Sequence, residues 1–504
     1  MAEAIGLKVD DPKFWDTGHL RQEADRIFDI CWSCRLCFKF CGSFPTLFEL
    51  IDGKTETLRA DHLAAHPEIA AAAAARRRAA AAEPQPAADP HEHGEEVGVT
   101  YGDELPEVQG HARDLSNAEI DRVVDLCFQC KLCYPNCPYT PPHEFALDFP
   151  RLLLRWKAHR TRRDGVPVQT RLMRDTATIG KLASVAPGIS NWALKNPANR
   201  AVMETVVGIH RKKLMPTYHR ETVPQWWRHH QPHREPALPL KDGVAQATPM
   251  KVALFSTCLI DYNDPAVGVA AVRVLEHNGV EVVRPEGQVC CGMPFLDGGD
   301  LDAAAKKIRV NVDVFAPLAE RGYAIVIPSP SCSLMVREEF PQLVAGARTD
   351  LMARCAHDLD EYLYRIAREG RLKRDFQRRF GRVQYHVPCH IRVQNVGIRG
   401  RDLLGLVADQ VDSVQECSGH DGTWSMQKAH FEDSLRWGQK AFDGMRATAA
   451  GEPCALACTD CRLAALHLEQ GAGRRTVHPV VALAHAYGFD VGVALESKPV
   501  AETA

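Results

Sequence analysis

Two short runs of cysteine, each with the spacing C-x2-C-x2-C-x3-C, constrain this chain more than any other feature. The first run contains Cys31, Cys34, Cys37 and Cys41, and the second contains Cys127, Cys130, Cys133 and Cys137. Three cysteines at every third position lie on one tight turn of backbone, so their thiolates converge. The fourth cysteine points away and can reach the other group. This spacing is the ligand pattern of two cubane [4Fe–4S] clusters.

The pair of runs resembles a bacterial-type ferredoxin, in which each cluster takes three ligands from one run and the fourth from the other. The resemblance implies Cys31, Cys34, Cys37 and Cys137 as the ligands of one cluster, and Cys127, Cys130, Cys133 and Cys41 as the ligands of the other. Pro138 closes the second run, whereas Gly42 follows the first run where proline is usual. The alternatives are weaker, since disulfides fit C-x2-C-x2-C poorly and zinc sites pair two C-x2-C knuckles.

The composition excludes several classes of protein. A length of 504 residues favours roughly three domains. The formal net charge of -3 gives no signature of nucleic-acid binding, and we expect no nucleic-acid partner. No apolar run reaches the length of about 18 residues that a spanning helix needs, and the N-terminal segment lacks the features of a secretory signal. The 18 cysteines therefore indicate metal or redox chemistry in a reducing cytoplasm.

Changes of composition along the chain predict an α+β multidomain protein. Its expected segments are a helical twin [4Fe–4S] ferredoxin domain (1–50 and 116–165), a low-complexity insertion (51–115), a basic helical connector (166–245) and an α/β domain of two repeats (250–490, with repeats at about 250–345 and 382–490). Helices are predicted over 15–30 and 117–126, the second capped by Ser116 or Asn117. Within the insertion we expect a short helix and then a loop, whose His91 and His93 we interpret as solvated.

Residues 151–235 carry a strong positive charge, with 17 Lys and Arg against 5 Asp and Glu. The segment PRLLLRWKAHRTRR has the pattern of a basic amphipathic helix. One interpretation is a surface that docks an acidic partner, or an anionic membrane surface on the cytoplasmic side. The other is a solvated helical connector that wraps the cluster domain. The sequence leaves both open.

From Lys251 onward, short β-branched segments alternate with segments of helical length. The predicted strands are KVALFS, VEVV, YAIVIP, VQYHVP, VDSVQE and CALAC. Alternation of this kind indicates parallel βαβ units.

The cysteines of this region form an internal repeat. The first half has Cys258, Cys290, Cys291 and Cys332, and the second half has Cys389, Cys417, Cys458 and Cys461. There are 31 residues between the first two cysteines in one half and 27 in the other. Each cysteine follows a predicted strand, and in a parallel sheet such loops share one end, where ligands bind. Gly292 and Gly419 would let the backbone pass close to a cluster.

This pattern resembles the cysteine-rich CCG domain of heterodisulfide reductase, of the glycolate oxidase iron–sulfur subunit and of the C subunit of anaerobic glycerol-3-phosphate dehydrogenase. The last two also resemble this chain in the order of their parts, with twin ferredoxin runs, a helical connector and two CCG repeats. The resemblance implies an electron-transfer subunit that works with a separate dehydrogenase. In heterodisulfide reductase, CCG motifs carry non-cubane [4Fe–4S] clusters at which disulfides are reduced.

Each half departs from the full motif by one cysteine, since Met335 and Ser418 stand at cysteine positions. Four thiolates per half would hold a cubane, a [2Fe–2S] centre or zinc, or the halves would share one site. Cys355 and Cys454 match no motif, and we interpret them as packing residues. Three histidines flank the second group and are either donors to its ligands or structural residues: His386, His390 and His420.

The function classes follow from these features. No G-x-G-x-x-G fingerprint follows a strand and no P-loop is present, so FAD and NAD are not expected in their standard modes. The leading hypothesis is an iron–sulfur subunit of an oxidoreductase that relays electrons between a flavoprotein dehydrogenase, or another redox protein, and an acceptor. The alternatives are a heterodisulfide reductase-like enzyme acting at a CCG-bound cluster and a redox-responsive interaction module. No catalytic residue is assigned.

Overall fold

A computed structural model describes residues 6–82, 108–446, 454–496 and 498–499. The chain forms two compact units. The smaller unit is Thr17–Cys127, and the larger unit combines Met1–Asp16 with Phe128–Ala504. The predicted loop residues His91 and His93 lie outside the described residues.

The smaller unit is helical. Its helices are α1 (Thr17–Cys34), α2 (Ser43–Ala65), α3 (Pro67–Ala82) and α4 (Asn117–Asp125), with a 3-10 helix at Ala112–Asp114. The predicted cap of α4 is confirmed, because Ser116 Oγ accepts from the amide of Glu119 at 3.3 Å and Glu119 Oε2 accepts from the amide of Ser116 at 2.7 Å. This reciprocal capping satisfies two amides that the helix itself leaves unpaired.

The larger unit begins with a 3-10 helix and six helices. They are the 3-10 helix Pro12–Trp15, α5 (Phe149–Asp164), α6 (Val168–Arg174), α7 (Thr176–Ala183), α8 (Pro187–Lys195), α9 (Pro197–Val206) and α10 (Val223–His229). Helix α5 contains the predicted basic helix, but much of it is interior. Leu153 and Leu154 are fully buried, and Arg155 Nε donates to the carbonyl of Phe14 at 2.7 Å. The solvated parts of the connector are the outer faces of α6–α9 and the segment 231–245.

The remaining elements form two parallel sheets with helices between their strands. The strands are β1 (Lys251–Leu254), β2 (Glu281–Val283), β3 (Ala324–Ile327), β4 (Ala356–Asp358), β5 (Arg378–His386), β6 (Ala408–Val414), β7 (Leu456–Cys458) and β8 (Lys498–Pro499). The helices are α11 (Cys258–Asn263), α12 (Pro265–His277), α13 (Met293–Asp297), α14 (Leu301–Glu320), α15 (Pro330–Leu334), a π-helical turn (Met335–Glu339), α16 (Phe340–Leu343), α17 (Ala347–Cys355), α18 (Leu359–Arg368), α19 (Cys389–Gln394), α20 (Arg399–Leu404), a 3-10 helix (Trp424–Met426), α21 (Phe431–Arg446), α22 (Arg462–Ala472) and α23 (Pro479–Ala486).

The two sheets share one topology. The first has the order β2-β1-β3-β4 and the second β6-β5-β7, all parallel, with the short β8 antiparallel to β5. In each sheet the first strand is central, and the second and third strands flank it. The six predicted strands and their parallel pairing are confirmed, and the matching order supports the internal repeat.

One apolar core joins the two repeats. Val252 and Leu254 of β1 lie in the same buried cluster as Val383 and Tyr385 of β5. The alternate residue Ala253 faces a second cluster on the other side of the first sheet. Because a parallel sheet of this kind is buried on both faces, its strands read as continuous apolar segments. Among the helices described, none combines the length and apolarity needed to cross a membrane.

Candidate metal centres

The two cysteine runs form the same local turn. Arg35, between Cys34 and Cys37, has φ +53°, and Lys131, at the equivalent position of the second run, has φ +58°. Residues other than glycine rarely adopt this left-handed conformation. In both runs the carbonyl of that residue accepts from the amide three residues later, at 3.3 Å from Phe38 and at 3.0 Å from Tyr134. The equivalence that the spacing predicted therefore extends to the backbone of this turn. Before the turn the runs differ, since Cys31 and Cys34 lie in α1 whereas Gln129 of the second run has φ +48°.

The unit boundary falls inside the second run. Cys127 belongs to the smaller unit with the first run, and the other three cysteines of the second run belong to the larger unit. Cys41, Cys127 and Cys133 are buried, and the other five are partly exposed. The exchange of ligands between the runs stays a prediction.

The first CCG repeat brings its four predicted cysteines together. Cys258 opens α11 directly after β1, and its thiol hydrogen-bonds to that of Cys290. Cys290 in turn contacts Cys291, whose Sγ lies 3.2 Å from Cys332 Sγ. These four residues form the repeat-1 thiol group. Gly292, with φ +98°, lets the chain turn into α13 immediately after the paired cysteines.

Burial and mutual contact keep the thiols of the repeat-1 thiol group protonated. The contact with Cys290, followed by burial, raises the pKa of Cys258. Cys258 lowers the pKa of Cys290, but Cys291 and burial outweigh this effect and raise it to about 12. Four neighbouring thiols therefore cannot ionise together without compensating positive charge. Metal binding requires thiolates, so a thiophilic iron–sulfur cluster or zinc ion fits this donor set.

Met335 occupies the position where the motif has a further cysteine. Its side chain is fully buried in the same apolar cluster as Cys290, Cys291 and Cys332. A Cβ atom added to Gly292 would lie 3.5 Å from the terminal methyl of Met335. Met335 thus packs beside the repeat-1 thiol group, where its thioether is a poorer iron ligand than a thiolate.

The second repeat brings two of its four predicted cysteines together. Cys389 opens α19 directly after β5, and its thiol contacts that of Cys417. Cys417 Sγ also accepts from the amide of Gly419 at 3.3 Å. Gly419 has φ +69°, and a Cβ there would lie 1.9 Å from the carbonyl oxygen of Ser434, so only glycine fits. Ser418, at the missing cysteine position, is buried.

The other two predicted ligands of the second repeat lie in different environments. Cys461 precedes α22, and its Sγ lies 3.8 Å from His420 Nε2. Cys458 is the last residue of β7, is fully buried, and belongs to the apolar core that includes Leu456 and Val477. A ligand role for Cys458 stays a prediction. Of the cysteines outside the motifs, Cys454 is buried as expected and Cys355 is partly exposed.

A cysteine of the second run contacts the second repeat, which the sequence patterns did not indicate. The thiol of Cys130 lies close enough to that of Cys389 for this interaction to be the main cause that lowers the pKa of Cys130. One sequence feature could have suggested an added ligand. Ser418 replaces a cysteine of the motif, so the second repeat has one thiolate fewer than the full motif. We define Cys130, Cys389 and Cys417 as the repeat-2 thiol group.

Two of the three flanking histidines, His386 and His390, hydrogen-bond to residues near this group. His390 Nε2 lies 3.2 Å from the carbonyl of Gln129, and its Nδ1 lies 2.9 Å from Ser331 Oγ. His386 lies 3.2 Å from both Thr459 Oγ1 and the carbonyl of Glu416. Burial lowers the pKa of His386 and of His390 to about 4, so both rings are neutral at physiological pH. They can donate or accept hydrogen bonds without adding charge.

A buried lysine lies near His420. Lys213 Nζ lies 2.6 Å from His467 Nδ1 and donates to Ser425 Oγ at 3.2 Å. Burial lowers the pKa of Lys213 to about 7. Lys213 also contributes, after burial, to the lowered pKa of His420. The connector therefore places against the second repeat a group that can exchange a proton near neutral pH.

A buried acidic cluster lies where the two repeats meet. The ligand atoms of Asp360, Asp460 and His478 all lie within 4.8 Å of one another, and Tyr385 donates to Asp460. His478 Nδ1 accepts from the amide of Val480 at 3.1 Å, so the neutral ring carries its proton on Nε2. A ring nitrogen that carries a proton cannot bind a metal ion. We therefore interpret this cluster as a network of shared protons.

Comparisons with known proteins agree with this organisation. A profile of the Cysteine-rich domain, CCG, matches residues 252–337, and a profile of the Citrate utilization protein B Fer4-like domain matches residues 101–163. These matches define a protein with a Fer4-like domain followed by a CCG domain.

Individual relatives cover much of the same architecture. The C subunit of anaerobic glycerol-3-phosphate dehydrogenase of Escherichia coli is 25% identical over 326 residues, which are 62% of this chain and 76% of the relative. Lactate utilization protein A is 31% identical in Bacillus cytotoxicus and 33% in Bacillus pumilus, over 196 residues that are 37% of this chain and 79% of each relative. The chain belongs to the CCG cysteine-rich family that contains these proteins, which confirms the resemblance.

Proposed function

We propose that this protein is an iron–sulfur electron-transfer subunit of an oxidoreductase complex, which relays electrons between a partner flavodehydrogenase, or another redox protein, and an acceptor. The observation that carries the proposal is the repeat-1 thiol group, four clustered cysteines in a chain that also has two cubane-type runs. The Escherichia coli relative is a dehydrogenase subunit, which supports a role beside a dehydrogenase.

The proposed cofactors are two [4Fe–4S] clusters in the cysteine runs and a further iron–sulfur cluster or zinc at the CCG repeats. The donor sets fit, since the eight run cysteines, the four cysteines of the repeat-1 thiol group, and Cys389 and Cys417 of the second repeat supply only sulfur ligands. Such clusters store and release single electrons. The protein contributes the thiolates, the buried surroundings that exclude water, and neutral histidines that hydrogen-bond around the second repeat.

The first experiment measures iron and sulfide in the anaerobically purified full chain, with EPR spectra before and after reduction. Two ferredoxin-type clusters alone give about eight irons per chain. Iron beyond that number, with a signal that Cys291→Ala or Cys417→Ala removes, indicates a loaded CCG site. Protein that contains no reducible iron, although the run cysteines are intact, would contradict the proposal.

A catalytic role at the second repeat is the alternative. Cleaving a disulfide into two thiols consumes two electrons and two protons, and Lys213 of the connector, with its lowered pKa, contacts this repeat as a proton donor. The missing cysteine at Ser418 weighs against this alternative. Adding a low-molecular-weight disulfide to the reduced protein distinguishes the two roles. A changed cluster spectrum with release of thiol supports catalysis, and an unchanged spectrum supports relay alone.

We also propose that the cytoplasmic protein contacts an anionic membrane surface through helices α6–α9. Their exposed apolar side chains are Val168, Leu172, Ile179, Leu182, Val185, Ile189, Trp192, Val202 and Val206. Between residues 168 and 206 the exposed charged side chains are all basic: Arg171, Lys181 and Lys195. Apolar residues, tryptophan and basic residues together are typical of a surface that rests in the lipid headgroups.

Co-sedimentation of the full chain with phospholipid vesicles tests this contact. Binding should require anionic lipid, weaken with salt and fall several-fold in Leu182→Gln and Trp192→Gln. Val310→Gln is the matched control, because Val310 is an exposed apolar residue of α14 outside this surface. Equal binding to neutral vesicles, or equal loss in the control, would contradict the membrane proposal and leave the relay function untouched.

A further inference from the structure

We infer that Cys130 is a member of the second CCG repeat's metal-binding group, so that the second cysteine run and the second repeat form one redox unit. The inference rests on the proposed iron–sulfur function. It adds the place where the cluster of the second run meets the metal site of the second repeat. The thiols of Cys130 and Cys417 each interact with the thiol of Cys389. The carbonyl of Gln129, next to Cys130, lies 3.2 Å from Nε2 of His390, next to Cys389. The three thiols thus form a continuous group drawn from two motifs.

The Cys130–Cys389 interaction is part of a continuous interface between residues 128–130 and the second repeat. Phe128 packs against Trp424 with ring centroids 5.2 Å apart, the carbonyl of Gln129 lies 3.2 Å from His390 Nε2, and Cys130 contacts Cys389. Three consecutive residues of the run therefore each touch the second repeat. Gln129 and Cys130 contact His390 and Cys389, which are adjacent residues of α19. These paired contacts fix the position of the second run along α19.

The backbone on both sides of Cys130 holds its thiol in this position. Gln129 and Lys131 have φ +48° and +58°. Two left-handed residues other than glycine are costly and persist only where the surroundings determine them. Here the surroundings are visible, because Gln129 is buried and its side chain donates to the carbonyl of Pro150 at 3.1 Å, while Lys131 is buried in an ion pair with Glu339.

The chemistry of the repeat explains why an added thiolate matters. The first repeat gathers four thiols of its own, whereas the second has Ser418 at one cysteine position and places Cys458 in its apolar core. Cys130 supplies the sulfur that the repeat lacks. A thiolate shared by the second run and the second repeat would couple their clusters directly. The repeat-1 thiol group would not take part in this coupling.

The first test maps disulfides in metal-free full chain treated briefly with diamide. Two contacting thiols lose two protons and two electrons to form the bond, and diamide accepts them as it becomes a hydrazine. We expect a peptide that links Cys130 to Cys389, absent in Cys130→Ser. Pairing of Cys130 only with other cysteines of its own run, with Cys389 left free, would overturn the inference. This readout needs no cluster, so it is independent of the proposed function.

The second test compares Cys130→Ser with Cys133→Ser, its neighbour in the same run. Both variants should lose or alter the cluster of the second run. Only Cys130→Ser should also shift the EPR or Mössbauer signal that Cys417→Ala removes. The same shift in both variants, or in neither, would overturn the inference while leaving the electron-transfer proposal standing. Cys34→Ser, the equivalent position of the first run, should leave that signal unchanged.

Discussion

Lys131 of the second cysteine run is buried against Glu339 of the π-helical turn, with 5% and 0% of the two side chains exposed. Arg151 Nη2 of α5 lies 3.6 Å from the same carboxylate. Burial alone would raise the pKa of Glu339, but Lys131 and Arg151 outweigh burial and hold it below its usual range. This ion pair ties the second cysteine run to the first repeat, while Cys130 contacts the second.

Removing one partner of this pair should destabilise the larger unit strongly. Glu339→Gln leaves two buried cations facing a neutral side chain, and a buried charge without a partner costs about 3–5 kcal/mol. Lys131→Met leaves the carboxylate with Arg151 and should cost less than Glu339→Gln. Chemical denaturation of the purified variants measures both effects.

The matched control is the exposed pair Arg348–Asp313, with 49% and 72% of the side chains exposed. Asp313→Asn should change the free energy of unfolding by no more than about 1 kcal/mol, because water screens such pairs. A similar small loss in Glu339→Gln would show that the buried pair does not hold the run in place.

The two glycines of the CCG motifs should respond differently to alanine. In Gly419→Ala the new Cβ would lie 1.9 Å from the carbonyl of Ser434, a backbone atom that cannot move aside. In Gly292→Ala the nearest atoms are 3.5 Å away, so only the left-handed conformation is penalised, by about 1–2 kcal/mol. We expect Gly419→Ala to give little folded protein and Gly292→Ala to fold with a lower melting temperature. Equal behaviour of the two variants contradicts this account.

Local sequence patterns were sufficient to predict most of the strands and the cap of α4. The six predicted strands formed from short β-branched segments, of which β1 and β3 are almost wholly buried. The Ser116 cap formed because its partner Glu119 is three residues away. Strand β4, with the sequence Ala356–Asp358, was missed because its residues have no strand pattern and pair only with β3.

Contacts between residues far apart in the sequence determine the features that local patterns did not predict. Cys458 entered the core because β7 pairs Cys458 with Tyr385 at the end of the strand, a register that spacing alone does not reveal. Helix α5 is interior because its leucines are buried and because Arg155 bonds to the backbone of Phe14 near the start of the chain. The Cys130–Cys389 contact likewise joins two motifs that the sequence presents as separate.

The buried acidic cluster should make stability fall as pH rises. Burial, and then the proximity of Asp460, raises the pKa of Asp360 well above its usual value. Above about pH 4 the unfolded chain releases this proton while the folded chain retains it, so the free energy of unfolding decreases with pH until the folded group also ionises. Asp360→Asn removes this contribution and should be more stable than wild type at pH 8. Denaturation at pH 5 and pH 8 measures the change of slope.

Asp409→Asn is the control for that slope, because the Asp409 side chain is 66% exposed. It should follow the wild-type curve at both pH values. If Asp360→Asn also follows the wild-type curve, the Asp360 carboxyl is ionised in the folded protein and the cluster does not hold the proton.

Thiol reactivity in the metal-free protein should separate Cys130 from the repeat-1 thiol group. The thiolate is the reactive form. The hydrogen bond from Cys389 lowers the pKa of the partly exposed Cys130, whereas its neighbours and burial raise the pKa of Cys290 to about 12. Brief treatment with iodoacetamide at about pH 7.5, which is below the ordinary thiol pKa of about 8.5, should therefore label Cys130 well before Cys290, as mass spectrometry of the peptides can show. Cys389→Ser offers a weaker contact and should slow the labelling of Cys130. If Cys389→Ser leaves that rate unchanged, the thiol of Cys389 does not stabilise the Cys130 thiolate.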